Sequence, residues 1–248
     1  MVKYPLFSLL FILLVSSCEG VFNIDMSGDG NRIEKSFDLE KYGEFGDINL
    51  TCDFEVHIRK AEERRIVIEA DSNLIPYINY EVEGNELLVK KRDNFNILPS
   101  DPVIATLYLS DFDRLRISGG SRVKVYTFNT GTLRTFVAEN SQVEFTSVKA
   151  NTFYLLAEGG TMSYVNGVFE DIHIRQVGSG NVKLAGETNE GSLILEGSGI
   201  IDAVELMGDN SRIQLFGSGL IYCCFGNNEL LTVDGTGRVY FCDDLFEE

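Results

Sequence analysis

The feature that most constrains this chain is a repeat of about 20 residues built around a small-residue corner. IRQVGSGNVKL, LILEGSGIIDA, IQLFGSGLIYC and LTVDGTGRVYF follow one another in the C-terminal half. Weaker copies, LRISGGSRVKV, TFVAENSQVEF and YLLAEGGTMSY, precede them. Aligned on Gly119, Glu139, Glu158, Gly178, Gly197, Gly217 and Gly235, the copies are spaced by 20, 19, 20, 19, 20 and 18 residues. The positions four and two before each anchor, and four and six after it, form four apolar columns. Thr135 and Gln176 are the polar exceptions, and the third copy contributes Tyr154, Leu156, Met162 and Tyr164.

Alternation with period two on both sides of a turn describes short strands meeting at a corner, and a helix with its 3.6 period cannot satisfy it. Glycine supplies the positive φ and the close backbone approach that a sharp corner needs. A unit this short cannot bury its own inner face. Stacking the copies at ~4.8 Å per strand buries one continuous apolar column. The expectation is an all-β chain: a parallel β-solenoid, right-handed and β-helix-like, with 19–20 residues per rung. Antiparallel hairpins closing a sandwich are the alternative, and the in-phase columns favour the solenoid.

An earlier rung is visible in DINLTCDFEVHI. With Cys52 as anchor, Ile48, Leu50, Val56 and Ile58 occupy the same four offsets. Strand-like runs then interrupt the repeat between about residues 62 and 110. The expected organisation is a β domain over 36–248, with an N-terminal β region (36–114) and repeat rungs (115–243).

The N-terminus reads as an export signal. Lys3 precedes the apolar run LFSLLFILLV, which is too short to span a hydrocarbon core needing ~20 helical residues. Val15-Ser16-Ser17-Cys18 resembles the lipobox of bacterial lipoproteins. That resemblance implies a leader over 1–17, cleavage before Cys18 and a lipid on its sulfur, with 18–35 as a tether. Glu19 follows, so no Asp marks inner-membrane retention. The expected location is the outer membrane, on a face the sequence does not specify.

The leader and lipobox, the first rung FEVHI, the hairpin EGNELLV and the serial GSG rungs together resemble the autotransporter-adhesin head GIN domain family over roughly residues 37–243. The resemblance implies a solenoid-like fold, and no catalytic residues carry over from it.

Charge narrows the partners. Removing Lys3 with the leader leaves 20 basic residues against 38 acidic, a net of −18. Such a surface repels nucleic acid and anionic headgroups. The expected partners are the membrane, through the lipid anchor, and a protein or glycan; assembly into a homo-oligomer is a further expectation.

Candidate chemistry is sparse. His57 and His173 fall in outward phase on strands, far from any nucleophile elbow. Asp25, Ser27 and Asp29, followed by Gly30, match the first half of a calcium loop. Ser36 stands where a bidentate Glu is needed, so no metal or other cofactor is expected. Cys224 and Cys242 lie seven positions after consecutive anchors. In stacked strands their Cα atoms approach to ~4.8 Å, within disulfide range. Cys223 falls in an inward column. Tyr222 and Tyr240 share an outward column on adjacent rungs; they can bind a sugar ring or a protein, or cover the last rungs. No long loop breaks the rungs after Gly119. The reading is therefore a non-enzymatic, lipid-anchored envelope protein with an adhesin-like or structural role. The alternative is a glycan-binding module or carbohydrate-active enzyme on a β-helix.

Overall fold

A computed structural model describes residues 23–242. The leader 1–17 and Cys18 lie outside the described residues. The N-terminal region contains β1 (Ile24–Ser27), β2 (Arg32–Asp38), β3 (Asp47–Thr51), β4 (Glu55–Lys60), β5 (Arg65–Asp71), β6 (Ile78–Glu83), β7 (Glu86–Lys91), β8 (Phe95–Leu98) and β9 (Ile104–Leu109). The repeat contains β10 (Arg114–Ser118), β11 (Arg122–Val125), β12 (Phe128–Val137), β13 (Gln142–Gly159), β14 (Met162–Gly178), β15 (Asn181–Gly197), β16 (Ile200–Gly217), β17 (Leu220–Gly235) and β18 (Arg238–Phe241). Among the described residues the helical elements are two single 3-10 turns.

The chain is a parallel β-solenoid. Every pairing from β10 to β18 is parallel, each strand lying against the equivalent segment one turn away. In β13 one turn consists of three arms: a first (142–145), a short second (148–150) and a third (152–159), separated by a register shift after Phe145 and a break at Asn151. Side chains alternate between the buried interior and the surface along each arm.

The inward residues stack like on like. On the third arm Leu115, Thr135, Leu155, Ile174, Leu193, Ile213 and Leu231 form one pile. All but Leu231 are buried. Each fully buried aliphatic side chain contributes about 1.5–3 kcal/mol. Leu231 and Val233 on the last complete turn are 48% and 45% exposed, as no described turn covers them.

The third rung departs from the sequence expectation by one residue. Thr135 pairs with Leu155, and Phe145 with Val165. The inward residues are thus Leu155, Ala157, Ser163 and Val165, and the corner residue in phase is Gly159 rather than Glu158. Tyr154, Leu156, Met162 and Tyr164 point outward, with Met162 54% exposed. Ala157-Glu158 repeats the letters of Ala138-Glu139, yet Ala157 pairs with Val137, one residue earlier. Apolar residues occupy both phases here, so alternation alone did not reveal it. A one-residue slip moves every side chain to the opposite face.

The corners explain the glycines. Gly197 has φ of 125°, and a Cβ there would lie 2.5 Å from the carbonyl oxygen of Gly178. That carbonyl accepts two amides of the next corner, Ser198 N–H at 3.0 Å and Gly199 N–H at 2.9 Å. The same double acceptance recurs at Gly197 and Gly217. Earlier corners differ: Glu139 and Asn140 take the left-handed conformation themselves, at φ of 55° and 58°.

The N-terminal region widens both principal sheets at one end. On the first arm β4 continues into β9, β5 and β2, the last two pairings antiparallel. On the third arm β3 pairs with β10 and β7, and β6 joins antiparallel. The Cys52 rung thus takes its expected place: Ile48 and Leu50 pair with Leu115 and Ile117, and Val56 and Ile58 with Val123 and Val125.

The segment expected as a tether, 18–35, belongs to the fold from Ile24 onward. β1 pairs with β8, and β2 runs along β5 through all seven residues. Its backbone amides and carbonyls find partners there, which a free tether would leave to water.

Candidate binding surface

Outward residues of the first arm form two parallel ladders. One runs His57, Lys124, Glu144 and Tyr164, then Lys183, Asp202, Tyr222 and Tyr240. Beside it lie Gln142, Met162, Asn181 and Ile200. Between them is an open groove of about 720 Å³. Its charges are partly neutralised in place: Lys124 pairs with Glu144 at 3.0 Å, and Lys183 with Glu205 at 2.6 Å. These carboxylates hold both lysines above the ordinary lysine pKa. Beside these pairs the groove is lined by Met162, Tyr164 and Ile200, each partly exposed, and by the polar Arg122, Gln142 and Asn181.

At the end of the ladder Tyr222 and Tyr240 stack, with centroids 5.2 Å apart and planes 11° from parallel. Adjacent turns set the spacing, and shared phase sets the overlap. Below them Cys224 and Cys242 are joined as a disulfide, with Cα atoms 4.9 Å apart. It fastens the four-residue β18 to β17. Cys52 and Cys223 are buried free thiols, pushed up to about 11 and about 12 by desolvation.

The remaining sequence candidates are dispersed. His57 Nε2 lies 2.6 Å from Glu55 Oε1, and its ring meets the edge of Tyr126. His173 lies on another arm, flat against Tyr154. The calcium half-loop is occupied by structural bonds. Asp25 Oδ1 accepts from Asn96 Nδ2, the Ser27 carbonyl accepts from Asn73 Nδ2, and Asp29 accepts from Ser72 Oγ and Asn31 N–H. Among the described residues no three His, Cys, Asp or Glu side chains converge as metal ligands. The Asp71 carboxyl, which sequence reasoning missed, anchors this corner. It accepts from Ser100 Oγ, Ser100 N–H and Gly30 N–H, bonds that hold it below the usual carboxylate range. No sequence signal marks it, because its partners lie 29 and 41 residues away.

The geometry defines a class: a parallel β-solenoid whose described turns from β10 onward follow one another without long loops, with the short β18 fastened covalently to β17. Residues 44–243 match the family model described as "Putative auto-transporter adhesin, head GIN domain". The chain belongs to that family. Three solved structures share the fold. A putative adhesin from Bacteroides fragilis is 15% identical, with a TM-score of 0.75 over 87% of this chain and 99% of that one. A putative adhesin from Parabacteroides merdae is 18% identical, with a TM-score of 0.72 over 88% and 98%. A putative lipid binding protein from Parabacteroides distasonis is 15% identical, with a TM-score of 0.68 over 88% and 99%. At these identities the likeness is one of fold. No curated protein matches the sequence.

Proposed function

We propose that this chain is an exported lipoprotein, anchored through Cys18 in the outer membrane, that binds a partner on its solenoid without altering it. The observation that carries the reading is the continuous outward ladder of the first arm, ending in the Tyr222–Tyr240 stack. Rigid aromatic rings lose little entropy on binding and supply large contact area. A parallel sheet braced by neighbouring turns holds them at fixed spacing, so little ordering is needed when a partner arrives. The family's description as an adhesin, and the leader with its lipobox, support display at the envelope. The disulfide suits an oxidising compartment.

Two measurements test the proposal. Palmitate should label the chain in cells, and Cys18→Ser should abolish the label and release the protein from the membrane fraction. The purified chain, immobilised and presented with separated envelope polysaccharides and proteins, should retain a ligand recoverable in unaltered form. Retention should fall in the Tyr222→Ala/Tyr240→Ala variant. Recovery of a cleaved or chemically changed ligand would assign an enzyme instead.

A further inference from the structure

A second surface, on the third arm, carries its own signature. Arg134 of β12, Tyr154 of β13 and His173 of β14 occupy one outward column on successive turns. The Tyr154 ring lies on the His173 imidazole with centroids 4.7 Å apart and planes 14° from parallel. The Arg134 guanidinium carbon sits 5.3 Å from the Tyr154 centroid. The next outward column, Phe136, Leu156, Arg175 and Ile194, borders the stack. Part of both columns lines a shallow groove of about 380 Å³.

The charges single out Arg134. Five arginines stand in the outward columns of this arm. Four are paired with carboxylates: Arg114 with Asp47, Arg116 with Glu86, Arg175 with Glu196 and Arg212 with Glu229. Arg134 has no carboxylate partner among the described residues, although acidic residues far outnumber basic ones in the chain. Its planar fork is held over an aromatic face with its N–H donors open to solvent. A carboxylate matches that fork in a bidentate geometry. Glu190 and Glu229 line the neighbouring depression beyond His173, so an anion is accepted at the Arg134 end.

We propose that this stack is a binding site for a carboxylate-bearing oligosaccharide, a chain of uronic acid residues. The sugar carboxylate pairs with the Arg134 fork, which the Tyr154–His173 stack holds in place from beneath. The C–H face of the adjoining pyranose lies on the apolar floor of Leu156 and Ile194. This site deepens the binding role proposed above, and it lies on a different arm from the Tyr222–Tyr240 stack. The two therefore fail separately.

The test is titration of the whole chain in detergent micelles with oligogalacturonate, with neutral and sulfated oligosaccharides of equal length as comparisons. The expected result is binding of the uronate and weaker binding of the other two. Arg134→Gln and Tyr154→Ala should each reduce uronate affinity roughly tenfold or more, through loss of the charge-assisted bidentate contact or of the ring that positions it. Arg134→Lys should not restore it, because an ammonium cannot form the fork. Both side chains are exposed, and unchanged melting temperatures would show that the variants fold. Tyr222→Ala/Tyr240→Ala should leave uronate binding intact. Absence of uronate binding, equal binding by Arg134→Gln, or a neutral chain bound as tightly would overturn the site. Loss in the Tyr222/Tyr240 variant alone would do so too, by moving the glycan to the first arm. The broader binding role survives any of these if the first-arm variant still loses its own ligand.

Discussion

Gln176 stacks on Leu195 inside the solenoid, fully buried, with its Oε1 facing no donor among the described residues. Its Nε2 reaches only the Val177 carbonyl, at 3.3 Å. A buried acceptor without a partner costs about 1–3 kcal/mol. Gln176→Met keeps the length of the side chain and removes that cost. Urea unfolding should show a gain of about 1–2 kcal/mol, and an unchanged or lower midpoint would mean that the amide is satisfied.

The corner glycines should not be interchangeable with glycines elsewhere. Gly197→Ala places a Cβ against the Gly178 carbonyl at a φ of 125° and should cost roughly 2–3 kcal/mol. Gly131→Ala, where a Cβ meets nothing within 4 Å, should be near neutral. Equal losses in thermal denaturation would remove the special status of the corner.

The last turn depends on its covalent clamp. The Cys224–Cys242 bridge closes a loop with a sequence separation of 18 residues, for which chain entropy gives about 3 kcal/mol. Mild reduction should lower stability by about that amount. In a Cys18→Ser background, maleimide should label no cysteine in the native oxidised chain and two after reduction. Burial holds the thiols of Cys52 and Cys223 protonated, near 11 and 12. Labelling of either before unfolding would contradict their placement.

Acid should loosen the N-terminal strands first. Ser100 and Gly30 bond the Asp71 carboxylate and lower its pKa in the folded chain; Ser72 and Asn31 do the same for Asp29. A depressed folded pKa means stability that is complete above the unfolded value, about 3.9, and lost as pH falls through the lower folded one. Hydrogen exchange over residues 24–38 should accelerate in that window before the solenoid responds. Asp71→Asn should bring the same acceleration at neutral pH. If exchange there tracks global unfolding at every pH, the local anchor has no separate role.

Much of the architecture was legible because the repeat is physical as well as textual. Where one phase is apolar and the other polar, as at Val182-Lys183-Leu184, the inward face reads directly from the letters. The slip at the third copy shows the boundary. Tyr154-Leu155-Leu156 and Met162-Ser163-Tyr164-Val165 carry bulk in both phases, and register passed to the backbone pairing of β12, β13 and β14. The column holding Arg134, Tyr154 and His173 was hidden by that same slip, since Tyr154 was assigned to the interior.

The sequence alone determined that this chain coils into stacked turns and where all but the third corner fall, and it placed Cys224 within reach of Cys242. These follow from periodicity and spacing, which act between residues of known separation along a regular path. Only the tertiary structure decided that residues 24–35 join the fold, that Asp71 gathers Ser100 and Gly30, and that Tyr154 faces water over His173. Those outcomes depend on which backbone segments lie side by side across 19 to 71 residues of chain, and no local preference encodes that choice.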